Sequence, residues 1–307
     1  MRIAVFGAGG VGGYYGARLA SAGVEVHFIA RGAHLEAIRI NGLSVKSANG
    51  DLHIHPAGVT DDPAAIGPVD LVLVAVKLYD TIPEDIRPLV GPETAVVSFQ
   101  NGVMAAESLA AVPGPERVIG GMTQIISVIA APGVIAHGGT MARLVFGELD
   151  GRRTPRVEAF HAACAGAGID AEISADIQAD IWSKFVFLAP FSGVTALMRL
   201  PIGPIRADAG TRALYRRATE EAFTVARAKG IRLPDDQVDR HMELVDGLPE
   251  DLGSSMLHDL TQGRRLELPW LSGTVVSLGR ELGQHTPTHG FIEAALKLHA
   301  DGPDEGI

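Results

Sequence analysis

The first sixteen residues, MRIAVFGAGGVGGYYG, constrain the fold more than any other stretch of the chain. An apolar run at residues 3–6 leads into Gly7-x-Gly9-x-x-Gly12, and an amphipathic segment comes directly after. A bare GxGxxG is weak, but at the end of a strand and the start of a helix it has the context of a dinucleotide-binding turn. Gly7 permits the tight turn, Gly9 lets the backbone approach a pyrophosphate, and Gly12 lets helix and strand pack closely. Free N–H groups at the helix start face the phosphates. Gly7, Ala8, Gly9, Gly10, Val11 and Gly12 are therefore the cofactor-binding candidates, a ligand-free tight turn being the alternative.

The chain beyond this loop keeps to the same architecture. Residues 24–30, 71–76 and 95–99 read as buried strands, and 11–22, 33–40 and 81–90 as helices between them. That alternation predicts an α/β fold, a Rossmann-type doubly wound parallel sheet with helices on both faces. From 118 to 148 longer strand-like runs, 124–130 and 144–147, surround Pro132–Gly133 and Gly138–Gly139, which predicts antiparallel strands extending the sheet. After residue 176 the pattern is helical, over 176–188, 209–230, 234–244, 254–263, 270–282 and 289–299, with Asp208 and Gly230 as start and stop signals. We expect a dinucleotide domain at 1–172, an all-helical domain at 173–307, and a frayed tail at 301–307.

Charge and cysteine content exclude several functions. The chain carries 36 acidic and 26 basic residues, a net −10 shared about equally by its halves, so no basic domain exists to bind nucleic acid. The lone Cys164 excludes an internal disulfide and a multi-cysteine zinc site. His53 with His55, and His285 with His289, lack clustered carboxylates at ligand spacing, so no metal is expected. The apolar stretch 185–198 is interrupted by Pro190, Ser192 and Gly193 and falls short of the ~20 residues of a membrane span. No secretory leader is visible, and a cytoplasmic protein without membrane attachment is expected.

Individual side chains narrow the chemistry. The second strand ends Phe28-Ile29-Ala30-Arg31-Gly32, without the Asp or Glu that bonds a ribose 2′-OH in NAD-preferring sites. Arg31 can pair with a 2′-phosphate, which favours NADP(H); a solvated loop arginine is the alternative. Lys77 and Asn101 come after strand ends, where open α/β sheets place ligands, and read equally as a snorkelling lysine and an Asn-Gly turn. In 176–188, Lys184 shares a helical face with Ile177, Ile181, Phe185 and Leu188. It either extends to solvent or, partly buried with a lowered pKa, acts as a general acid. Ser254 is a natural helix cap beside Ser255. Glu267 reads alone as a partner of Arg264 or Arg265.

Together, GAGGVG at 7–12, VAVK ending at Lys77, QNG at 100–102, IWSK ending at Lys184, SSML at 254–257 and Glu267 before Pro269-Trp270-Leu271-x-Gly273 resemble the ketopantoate reductase (2-dehydropantoate 2-reductase) family over nearly the whole chain. The resemblance implies an NADPH domain, a helical domain, and reduction of a small-molecule 2-oxo acid to a 2-hydroxy acid in a cleft between them, a step of pantothenate biosynthesis. By the same resemblance Lys184 matches the catalytic lysine. Lys77, Asn101 and Glu267 hold the cofactor or orient the reacting groups, with Glu267 also catalytic and Asn101 also against substrate. Ser255 matches the substrate-bonding serine, and a homodimer is compatible. The family's asparagines four and eight residues after the lysine are here Leu188 and Ser192, Ser192 remaining a substrate-binding candidate. Pro269 and Ser272 replace a usual Asp and Asn. The cofactor half is intact and the substrate half altered, which points to a paralogue acting on a different, less hydroxylated 2-oxo acid. A dehydrogenase of the 6-phosphogluconate or glycerol-3-phosphate type and a non-catalytic NADP(H) sensor are the competing readings.

Overall fold

The computed structural model describes residues 1–55 and 57–302, so the expected tail lies outside the described residues from 303 onward. Two compact units divide the chain: Met1–Gln100 with Met104–Asp180, and Asn101–Val103 with Ile181–Ile307.

The first unit is built on a ten-stranded mixed sheet. In chain order its strands are β1 (Arg2–Phe6), β2 (Glu25–Ile29), β3 (Leu43–Lys46), β4 (Leu52–Ile54), β5 (Gly58–Thr60), β6 (Leu71–Val74), β7 (Ala95–Ser98), β8 (Val118–Ala131), β9 (Val134–Glu148) and β10 (Asp170–Ile173). They lie in the order β4-β3-β9-β8-β7-β6-β1-β2-β5, with β10 also paired to β9. The run from β5 through β8 is parallel, and β8 and β9 form the expected antiparallel extension. Helices α1 (Gly10–Ser21), α2 (Gly32–Asn41), α3 (Ala105–Leu109) and α4 (Pro155–Gly166) complete the unit. Alternation along β1 shows why its strands are so apolar. Ile3 and Val5 enter one core with Phe28, Leu73 and Val97, while Ala4 and Phe6 enter another with Val72, Val74 and Val96. A parallel strand covered on both faces has no side free for polar residues. From β1 the chain goes first to β2 on one side and later to β6 on the other. This reversal is the switch point where such sheets bind ligands, and the glycine loop leaves β1 there.

The structure departs from the expected elements in several places. Residues 81–90 are not an α-helix but a 3₁₀ helix, Pro83–Leu89, with Pro88 inside it lacking the N–H that an α-helical ladder requires there. The short strands β3, β5 and β10 and helix α4 have no counterpart among the elements expected from sequence. A cut between 172 and 173 would pass through β10. The Ser174 N–H bonds the Phe146 carbonyl (2.8 Å) and its hydroxyl bonds Asp180, which ties the chain to the first unit up to residue 180.

The second unit is helical: α5 (Ile177–Met198, beginning in the first unit), α6 (Ile202–Ala207), α7 (Ala209–Ala228), α8 (Gln237–Gly247), α9 (Ser255–Thr261), α10 (Ser272–Glu281) and α11 (Pro287–Leu296). Helix α5 runs 22 residues, through Pro190, instead of ending near 188. A proline inside a helix costs ~3 kcal/mol, and burial of Phe185, Val186, Ala189, Phe191, Val194 and Ala196 outweighs it. By length and apolar composition this helix, alone among those described, is sufficient to cross a membrane, yet 61% of its apolar window is buried.

Candidate active site

In the first unit, the backbone at the glycine loop fits the phosphate-binding reading. Gly7 has φ +104°, which only glycine adopts without strain. The N–H groups of Gly7 and Ala8 both donate to the Ile29 carbonyl, at 3.2 and 2.9 Å, fastening the loop to β2. A Cβ on Gly12 would fall 2.1 Å from the Gly7 carbonyl oxygen, whereas one on Gly9 would meet nothing within 4 Å. The loop is thus tight where helix and strand pack and open where a pyrophosphate would approach. No side chain caps α1, so its first N–H groups are left for an anion.

Arg31 stands at the start of α2, 66% exposed, with Nη2 3.3 Å from Asp85 Oδ2. An exposed pair of this kind is worth ~0–1 kcal/mol, so the guanidinium can exchange partners at little cost. Lys77 comes after β6 and directly precedes a short 3₁₀ turn, Leu78–Asp80. Sequence reasoning does not single out Gln100, which braces this region. Its buried side-chain N–H groups donate to the Val76 carbonyl (2.9 Å) and the Thr81 hydroxyl (2.6 Å), and its oxygen accepts from Ser98 (3.0 Å). Gln100 thereby joins the end of β7 to the loop that carries Lys77. Its place directly before Asn101 in the Gln-Asn-Gly run is the available signal.

In the second unit three residues far apart in sequence meet. Lys184 Nζ donates to Asn101 Oδ1 at 3.1 Å, and Asn101 Nδ2 lies 3.5 Å from Glu267 Oε2. Glu267 is buried just before the 3₁₀ turn Leu268–Trp270, while Lys184 keeps some accessible surface despite its dense surroundings. Burial pushes the Lys184 ammonium down to about 8, and the Glu267 charge acts in the opposite direction. An ammonium titrating there donates a proton far more readily than an ordinary lysine near 10.4.

The other substrate-side candidates lie differently. Ser254 caps α9, its Oγ accepting from the Leu257 N–H (3.0 Å), and Ser255 is exposed on the first turn. Ser192 is wholly buried on α5, and its hydroxyl has no hydrogen bond among the described residues. A ligand reaches it only if its neighbours move, so Ser192 does not stand with the accessible candidates. Leu188 is half-buried one turn beyond Lys184. Among the described residues no group of three or more His, Cys, Asp or Glu side chains is placed to hold a metal ion.

Known proteins resemble this chain over nearly its whole length. The family profile described as ketopantoate reductase PanE/ApbA matches residues 3–151, and the corresponding C-terminal profile matches 176–300. A 2-dehydropantoate 2-reductase of Mesorhizobium japonicum is 36% identical over 321 aligned positions, covering 97% of this chain and 96% of that one. The crystal structure of a 2-dehydropantoate 2-reductase from Geobacter metallireducens superposes with a TM-score of 0.90 at 36% identity, covering 97% of this chain and 99% of that one. A D-mandelate dehydrogenase solved with NADH and anilino(oxo)acetate shares the fold at a TM-score of 0.88 and 20% identity, over 98% of each chain. The two profiles span most of the described chain, and the protein belongs to the ketopantoate reductase family of oxidoreductases.

Proposed function

We propose that this protein reduces a 2-oxo acid to the corresponding 2-hydroxy acid with NADPH, Lys184 acting as the general acid. The observation that carries this reading is the Lys184–Asn101–Glu267 chain of contacts, which joins a proton donor of lowered pKa to an amide and a buried carboxylate. Asn101 accepts one Lys184 proton and so aims the ammonium, leaving its remaining protons for a carbonyl oxygen. Glu267 favours the charged form, so that an ammonium is present to steady the alkoxide as it develops. The glycine loop and Arg31 would hold the pyrophosphate and the 2′-phosphate, with Lys77 near the ribose. Bound there, the reduced nicotinamide supplies the hydride. The Lys184 proton goes to the carbonyl oxygen and is recovered from solvent.

On the substrate side, Leu188, Pro269 and Ser272 replace groups that would bond hydroxyls, and a site without such groups gives up discrimination in favour of them. The proposed substrate is therefore a 2-oxo acid with fewer hydroxyls than ketopantoate. The experiment is a panel of ketopantoate and unhydroxylated branched and aromatic 2-oxo acids, monitored by NADPH absorbance with NADH in parallel. An unhydroxylated acid is expected to give the highest kcat/KM. A clear preference for ketopantoate would refute the specialisation, and tight NADPH binding with no turnover of any acid would leave a binding protein.

The Arg31 assignment has its own test. Losing charge-assisted bonds worth ~1.5–3 kcal/mol, Arg31→Ala is expected to weaken NADPH binding by about 10- to 100-fold. NADH binding should change little, and a wild-type preference for NADH would remove the basis of the assignment.

A further inference from the structure

His34 lies in the first turn of α2, three residues beyond Arg31, and both of its ring nitrogens are engaged by backbone. Its Nε2 is 2.8 Å from the Ala8 carbonyl oxygen, in the glycine loop. Its Nδ1 accepts the N–H of Gly133, at the turn between β8 and β9, at 3.0 Å. A backbone N–H can only donate, so Nδ1 is the bare nitrogen and Nε2 carries the proton that goes to Ala8. One neutral imidazole therefore ties the glycine loop to the far end of the β8–β9 hairpin.

The contacts around it show what this tie does. The Ala8 N–H is already committed to the Ile29 carbonyl, so with His34 on its carbonyl Ala8 is held from both sides. The hairpin also presses on the next part of the loop, since a Cβ on Gly10 would lie 2.2 Å from the Ser127 carbonyl oxygen. Gly133 sits against α2, where a Cβ on it would be 3.2 Å from Ala37 Cβ, and its carbonyl accepts from the Ser44 N–H at 2.9 Å. Hairpin, α2 and glycine loop thus converge on a side chain that touches none of the chemistry.

We propose that His34 is a positioning residue for the nucleotide. By holding the Ala8 carbonyl it orients the next peptides of the loop, so that the N–H groups at the start of α1 are arranged for a pyrophosphate before it arrives. Preorganisation of this kind strengthens binding by removing the ordering cost from the binding step. This inference rests on the reading of the glycine loop as the cofactor site, and it goes beyond the GxGxxG pattern because nothing in that pattern specifies a histidine.

The test is NADPH titration of the intact protein, with steady-state kinetics at saturating NADPH. Loss of one neutral hydrogen bond, ~0.5–1.5 kcal/mol, corresponds to a rise in Kd of about 2- to 13-fold. His34→Ala and His34→Asn are expected to show that rise with kcat within about 2-fold of wild type, because Lys184 is untouched. His34→Gln, whose terminal amide can donate to the Ala8 carbonyl in place of Nε2, is expected to recover most of the affinity. An unchanged Kd in folded His34→Asn, or a Kd that His34→Gln fails to recover, would overturn the proposal. Wild-type protein that binds neither NADPH nor NADH would overturn the cofactor reading itself, a result distinct from equal binding by wild type and variants.

Discussion

Lys184→Ala is expected to lower kcat by about 10²- to 10⁴-fold, the range over which a positioned general acid contributes, while NADPH binding stays near wild type. Because Lys184 must be protonated to serve as the acid, and burial holds it at about 8, kcat/KM for reduction should be level below that pH and fall above it. Glu267 acts on the same equilibrium with the opposite sign to burial. Glu267→Gln removes the charge that favours the ammonium, so its falling limb should move to lower pH. Activity that persists in Lys184→Ala, or a limb that moves to higher pH in Glu267→Gln, would remove Lys184 from the proton-transfer role. A pH profile of kcat/KM for the three proteins decides both points.

The second large effect is on stability in acid. His289 is fully buried, with Nε2 3.0 Å from the Ala218 carbonyl oxygen and Nδ1 3.1 Å from the Ser272 hydroxyl. Burial pushes it down to about 4, against the opposing pull of the Glu221 charge, and burial likewise holds His241 at about 4. In the unfolded chain both take up protons near pH 6.5. Below that pH the unfolded state binds protons that the native state refuses, so stability falls as pH drops from about 6.5 towards 4. The loss is up to about 3 kcal/mol for each histidine once both states are protonated. Both tryptophans, Trp182 and Trp270, lie in the same unit as these histidines, so their fluorescence reports its unfolding. Urea midpoints should be clearly lower at pH 5 than at pH 7, and the difference should shrink in His289→Gln. Equal midpoints at the two pH values would sink the argument.

Much of the first unit is legible in the sequence because its determinants are local. A buried parallel strand announces itself as a short β-branched run, and the glycine loop carries its own steric logic at residues 7–12. The misses have equally physical causes. Strands of three or four residues, such as β5, exist because a partner offers a ladder: Gly58–Thr60 pairs with residues 27–29 of β2, and nothing within three residues encodes that. Helix α4 is different, since Val157, Phe160 and Cys164 are buried at helical spacing and the signal is present. The local cost of Pro190 argues for a helix end near 188, whereas the burial that outweighs it comes from distant parts of the chain.

By itself the sequence determined the glycine loop, the two-part architecture, the acidic balance that disfavours nucleic acid, and a short set of polar candidates. The state of those candidates it left open, because a lysine on an apolar stripe is a solvated side chain or an acid according to what surrounds its ammonium. Tertiary structure decided those surroundings by bringing Asn101 and Glu267 to Lys184 across separations of 83 residues on either side. It also withdrew Ser192 into the helical core and placed His34 under the glycine loop. Desolvation, hydrogen-bond partners and nearby charge set what an ionisable group does, and all three come from residues remote in sequence.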